Sequence, residues 1–264
     1  MNDSTDNSEE QGSSLQSASA HLVELAGSKQ LVLLGDQTGI AQHVQFVSQV
    51  LPQLYEAGVH NLAWEFTNSR TQEALDQLLA SENWDETKCT NLFVDLLGIG
   101  FTYFEYAEVL RAAWALNRSL DAQAPRFRVV GLGFPTYVED PLLLEGRSAA
   151  ELELRNWWMG GHYRDVAAFH MANTLTNEVL RSGGRAVVLM SGERTTTRLI
   201  QWDNGLPTVS VGNLLHRWMG DGVARAVFHG AVTDSQAAER VESLIAAAPE
   251  RPENFGITLD LATL

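Results

Sequence analysis

Cysteine and lysine are nearly absent from this chain. Cys89 is the one cysteine, which excludes an internal disulfide and any zinc site built on several thiolates, and its setting gives no sign of a reactive thiol. Lys29 and Lys88 are the only lysines, and 18 Lys plus Arg face 33 Asp plus Glu in 264 residues, a net charge of −15. Such a balance argues against nucleic acid as a partner, because a phosphate backbone calls for a basic surface. The preference for arginine would suit fixed, bidentate contacts to carboxylates or phosphates, but a genomic bias toward Arg and Ala is the better explanation. No apolar run reaches the ~20 residues that cross a bilayer. The opening MNDSTDNSEEQGSSLQSAS has neither the basic nor the apolar stretch of a secretion signal. A cytoplasmic protein without a membrane partner is the expectation. No internal repeat is visible.

What is present can build a large core. Hydrophobic residues make up 45% of the chain and charged residues 19%, a composition and length that fit one α/β domain over residues 15–264 behind a solvated tail of residues 1–14. Leu15, Ala18, Leu22 and Leu25 are spaced for a short helix, and Leu31 to Leu34 form a buried strand that ends at Gly35-Asp36. Ile40, Val44, Val47, Val50, Leu51 and Leu54 mark a long amphipathic helix up to Gly58. The pattern repeats in type: a strand over Val59 to Phe66, then a helix over Thr71 to Ala80. Residues 84–122 read as mainly helical with a break near Gly98 and Gly100, followed by a strand over Phe127 to Leu132. The loop GFPTYVEDP leads to one or two helices within Ala149 to Arg181, and Arg185 to Met190 is the next strand. Further strands are expected at Thr208 to Val211, Ala224 to His229 and Gly256 to Leu259, with a helix over Ser235 to Ala247. Alternating strands and helices predict a three-layer α/β fold, a mostly parallel central sheet with helices on both faces.

In open sheets of this kind, binding and reactive groups gather beyond the carboxyl ends of the strands. Asp36, Glu65 and the Ser191-Gly192-Glu193-Arg194-Thr195 segment all fall there. With neighbouring strands ~4.8 Å apart, the three carboxylates Asp36, Glu65 and Glu193 are expected to converge. They would then share a divalent ion or a proton, with one pKa raised. Asp36 and Glu193 also stand where helices begin and read equally as caps. Glu65, inside Ala-Trp-Glu-Phe, needs a partner if it is buried.

The segments LVLLGDQTGIAQHVQFVSQVLPQL, LAWEF, RDVAAFHMANTL and RAVVLMSGERTT, in that order, resemble the erythromycin esterase, ChaN-like and Tiki superfamily. Its Gly-Glu-x-His motif falls on Gly35, Asp36, Gln37 and Thr38, and its lone Glu on Glu65. Its helix motif falls on Arg164 and Asp165, its late Gly-x-x-His on Gly192 to Thr195, and an extra histidine of some members on His43. The resemblance spans residues 30 to about 200 and implies an esterase, a metal-dependent protease or a haem binder. Both motif histidines are threonine here, Thr38 and Thr195. Threonine is no general base near neutral pH and a poor ligand for metals that suit imidazole.

The residues that remain suggest an atypical acidic site. Glu65 is read as base or ligand, Asp36 and Glu193 as co-ligands or proton partners, and Arg164 as substrate anchor or, alternatively, a salt-bridge partner. Oxygen ligands favour Mg²⁺, Mn²⁺ or Ca²⁺. His43, Thr38, Arg194 and Thr195 are expected at the substrate, with Tyr103, Tyr137 and Trp158 as aromatic contacts, while Phe101, Phe104, Tyr106 and Trp157 read as core. His162 and His170 bracket Arg164 about two helical turns apart. Gly131-Leu132-Gly133 lacks the third glycine of a dinucleotide fingerprint, so NAD is not expected. The expected function is hydrolysis or proton transfer on a small organic or peptide substrate, as in secondary metabolite processing. The rivals are a haem or small-ligand binder and an accessory subunit of a biosynthetic complex. A homo-oligomer is left open.

Overall fold

A computed structural model of the chain describes residues 16–94, 103–134, 163–201, 207–232, 235–247 and 255–256. Five short apolar runs form its centre: β1 (Leu31–Asp36), β2 (Asn61–Asn68), β3 (Arg128–Gly133), β4 (Ala186–Ser191) and β5 (Val223–Val227). They pair in the order β3-β2-β4-β1-β5 and every pairing is parallel. Parallel strands covered on both faces must be apolar throughout, and all six residues of β1 are buried.

Alternation along the strands feeds two cores. Val32, Leu34, Leu62, Trp64, Val129, Val187 and Leu189 face one layer of helices: α1 (Ala18–Ser28), α2 (Ala41–Glu56), α3 (Gln72–Ala80), α4 (Glu86–Val94) and α5 (Phe104–Ser119). Leu31, Leu33, Ala63, Val130, Leu132, Val188 and Met190 face α6 (Tyr163–Glu178) and α7 (Val211–Met219) on the opposite side. The expected three-layer architecture is the one found. α8 (Ser235–Ala247) has the bounds the periodicity predicts. No helix among the described residues is long and apolar enough to cross a membrane.

Two expected strands need correction. Val-Ser-Val at 209–211 reads as β-branched strand, but only Pro207–Thr208 pairs, with Ile200–Gln201. Ser210 instead caps α7, its hydroxyl accepting from the Asn213 amide at 3.0 Å, and side-chain capping outweighs β propensity there. The strand expected to run to His229 stops at Val227, and His229–Ala231 form a 3-10 turn. Of the C-terminal strand expected over Gly256 to Leu259, only Gly256 is among the described residues; it pairs, with Phe255, against Gln16–Ser17. The tail of residues 1–14, the break near Gly98 and Gly100, the GFPTYVEDP loop beyond Phe134 and residues 149–162 lie outside the described residues.

The topology locates a crevice. From β1 the chain leaves across the first face through α2, whereas from β4 it leaves across the opposite face toward α7. β1 and β4 are neighbours, so their carboxyl ends diverge at a switch point, where open α/β sheets bind ligands. A second irregularity lies beside it. The β2–β3 register slips between Trp64 and Asn68, and β3 admits the bulge because Gly131 and Gly133 lack side chains. A Cβ on Gly131 would stand 2.6 Å from the Asn68 carbonyl oxygen, and one on Gly133 2.9 Å from that of Glu65. The Gly-Leu-Gly run thus serves close strand packing.

Candidate functional site

Asp36, the last residue of β1, sits at this crevice. It is almost fully buried, 3% exposed, and its Oδ1 has no hydrogen-bond partner. Burial, and secondarily the charge of Glu65, push its pKa up to about 7, only partly offset by its own backbone amide. At neutral pH this carboxyl stands poised between acid and base.

Glu65 is held from two sides. Its Oε1 accepts from Arg194 Nε at 2.6 Å and its Oε2 from the Ser191 amide at 2.8 Å. Its bulged strand sets it over the end of β4, and the 3-10 turn Gly192–Thr195 brings Arg194 to meet it. The pair is mostly removed from solvent, with side chains 19% and 14% exposed for Arg194 and Glu65, and the two bonds fix the carboxylate in place.

Tyr106, in the first turn of α5, closes the site from the first face. Its hydroxyl is buried without a partner and lies toward the Gly39 amide without closing a hydrogen bond. Burial, followed by the nearby Asp36, Tyr103 and Glu65, raises its pKa beyond the ordinary phenol range. The ring stacks edge-on against Trp64 at 5.2 Å and against Tyr103 at 5.3 Å. Tyr103 is 41% exposed, so the site reaches solvent through it. The loop after β1 is tied down by His43, whose Nδ1 accepts from the Gln37 amide at 3.3 Å while its ring stacks on Phe228 at 4.1 Å. Burial lowers the His43 pKa, which keeps that nitrogen an acceptor. A buried, pKa-raised carboxyl beside a fixed carboxylate and two phenols can move a proton to or from a bound molecule.

No protein-family model matches the chain, and no curated protein matches it. Solved structures do. The type III effector HopBA1 superposes with a TM-score of 0.51 at 15% identity, over 79% of this chain and 80% of its own. The Pasteurella multocida toxin, whose C-terminal region is described as having a thiol-protease-like catalytic triad, gives a TM-score of 0.51 at 12% identity, over 84% of this chain and 25% of the toxin chain. ChaN of Campylobacter jejuni, described with cofacially bound haem, gives 0.49 at 10% identity over 79% of this chain and 84% of its own. This chain has the fold of HopBA1 and of the toxin region. At such identities the likeness is one of fold alone.

The sequence-based site is redrawn in several places. Glu193 does not join Asp36 and Glu65: the 3-10 turn leaves it exposed while its neighbour Arg194 turns inward. Among the described residues no group of three His, Cys, Asp or Glu is placed to hold a metal ion, so the expected three-carboxylate metal site does not form. Arg194, expected at the substrate, is the clamp on Glu65. Thr195 is fully buried, donating from Oγ1 to the Gly192 carbonyl at 2.7 Å and accepting from Arg225 Nε at 3.0 Å. It braces the turn and has no surface for a ligand. Thr38 lies exposed in the loop after β1. Arg164 is on the first turn of α6, but its side chain, Tyr137 and Trp158 lie outside the described residues.

The Ser191 amide is a part of the site that sequence reasoning missed, and Tyr106, read as core, is in the core as expected but carries a buried hydroxyl near Asp36. One signal for Tyr106 existed, since a phenol on a helix face that otherwise supplies apolar core needs a use for its hydroxyl. Cys89 is buried, and burial, reinforced by Glu86, pushes its thiol up to about 12.

Proposed function

We propose that the protein is an enzyme of proton-transfer or hydrolytic chemistry on a small organic or peptide substrate, with Asp36 as the group that exchanges the proton. One observation carries this reading: a buried carboxyl with an unpartnered oxygen at the switch point, raised to about 7. Glu65 then supplies the fixed negative charge that keeps the Asp36 proton in place, and Arg194 holds Glu65. Tyr106 and Tyr103 offer hydroxyl donors to the bound molecule. The resemblance to the erythromycin esterase and ChaN-like superfamily agrees with a hydrolytic role, and secondary metabolite processing remains the setting it suggests. Thr38 and Thr195 replace the superfamily histidines, so the acid–base role passes to Asp36.

Carbon-detected NMR of the Asp36 carboxyl, beside turnover of a panel of chromogenic esters and peptide anilides, tests the proposal. The expected result is an Asp36 titration near neutrality and turnover lost in Asp36→Asn. An ordinary titration near 4, or turnover unchanged in Asp36→Asn, overturns it.

A second reading, haem or another flat apolar ligand, rests on Tyr103, which is 41% exposed and packs edge-on to Tyr106, and on Phe104 next to it in the chain, 68% exposed. A phenol oxygen can ligate ferric iron. Haemin titration separates the two: a visible band that disappears in Tyr103→Phe favours the binder.

A further inference from the structure

We propose that Ser69 and His170 form a second reactive centre, a nucleophile–base pair that accepts an acyl group from a small ester or thioester. Ser69 Oγ and His170 Nε2 stand 2.9 Å apart, within the reach required for a base to activate a hydroxyl. Ser69 directly follows the bulged end of β2 and opens the 3-10 turn Ser69–Thr71 that leads into α3. A strand–turn–helix junction lifts a side chain above the carboxyl edge of a sheet, the placement used by serine nucleophiles in α/β hydrolytic folds.

The junction is held firmly. The Arg70 amide donates to Asn68 Oδ1 and Thr71 Oγ1 donates to the Asn68 carbonyl, both at 2.9 Å, and Gly131 and Gly133 let the bulge sit close over β3. His170 comes from α6, with its ring edge-on to Phe134 at 5.2 Å. Burial lowers its pKa, so near neutral pH the ring is uncharged. With the ring hydrogen on Nδ1, Nε2 accepts the Ser69 proton. Ser69 and His170 are both half-buried, so the pair is not closed off from solvent.

This pair is independent of the Asp36 reading. β4 lies between β2 and β1, which separates the two strand ends by ~10 Å. His170 belongs to the α6 layer, whereas Tyr106 over Asp36 belongs to the α5 layer.

In the proposed step Ser69 Oγ bonds to the acyl carbon as its proton passes to His170 Nε2. The bond from that carbon to the leaving oxygen or sulfur breaks, and the leaving group departs with the proton from His170. Water then attacks the acyl-serine with His170 as base, which releases the acid and restores the hydroxyl. With an alkyl fluorophosphonate the same first step forms an Oγ–P bond, breaks P–F and releases fluoride, leaving a stable adduct.

The test uses the full chain and a biotinylated alkyl fluorophosphonate, with the adduct located by peptide mass spectrometry. The expected outcome is modification of Ser69, none at that position in Ser69→Ala, and a labelling rate about 100-fold lower or less in His170→Gln. The wild-type rate should fall in acid with a midpoint below the ordinary histidine value of 6.5, a readout that needs no variant to fold. An unmodified Ser69, a rate unaltered in folded His170→Gln, or a rate flat through that pH range overturns the proposal, leaving a hydrogen bond that ties β2 to α6.

Discussion

In water an aspartyl carboxyl ionises near 3.8, but at Asp36 burial and the neighbouring Glu65 move that point to about 7. Between those values the folded state holds a proton that the unfolded state has lost, so this group's contribution declines as pH rises and is least favourable above about 7. The decline is on the order of 4 kcal/mol. Asp36→Asn cannot ionise, and its melting temperature should exceed that of the wild type by several degrees at about pH 8. The gain should vanish near about pH 4. Calorimetry at the two pH values checks this, and an equal gain at both would remove burial of the charge as its cause. Glu65→Gln probes the other half of the pair. It takes away the like charge, so Asp36 should titrate lower by NMR, and it weakens the charge-assisted bond from Arg194 Nε, at a cost of about 1–3 kcal/mol. An unmoved Asp36 titration would show that burial acts alone.

Glycines decide how closely elements approach, and their demands can be tested one element at a time. α7 passes so near the turn after β4 that a Cβ on Gly212 would lie 2.5 Å from the Thr195 carbonyl carbon. Gly212→Ala should therefore cost at least about 2 kcal/mol, since two stretches of backbone must separate. A denaturation midpoint equal to wild type would refute that packing. Gly131→Ala should likewise displace the β2 bulge and lower both stability and phosphonate labelling of Ser69. These elements also show what a sequence can reveal. Strands buried on both faces announce themselves as unbroken apolar runs, and β1 to β4 were legible for that reason, as were α2, α3 and α8 from their periodicity. Asp36 and Glu65 were legible because a carboxylate at the end of such a run is conspicuous. The failures share a cause. Whether Glu193 or Arg194 turns inward is set by a 3-10 turn with no periodic signature, and Ser210 acts as cap through one hydrogen bond. Strand order is equally hidden: nothing local to β4 says that it inserts between β1 and β2, although that insertion creates the crevice.

For the molecule as a whole, the excess of acid is the property that packing does not explain. At a net −15 the folded chain repels itself and sets up a negative field that disfavours anionic ligands and leaves neutral or cationic ones unopposed. The ion pairs described do not cancel this. Arg128 with Asp76 and Glu178, and Arg111 with Glu86 and Glu108, lie at the surface, where such a pair contributes about 0.2–1 kcal/mol. Salt acts on both terms with opposite signs. Raising NaCl from about 20 to about 200 mM shortens the screening length from roughly 20 to roughly 7 Å, which quenches repulsion among distant carboxylates more than attraction across a contact. With charge so unbalanced, relief of repulsion dominates. The melting temperature at pH 8 should rise by a few degrees over that range, and the rise should shrink near pH 5, where carboxylates begin to take up protons. A melting temperature that falls with added NaCl would mean that the surface pairs stabilise the fold more than its excess charge opposes it.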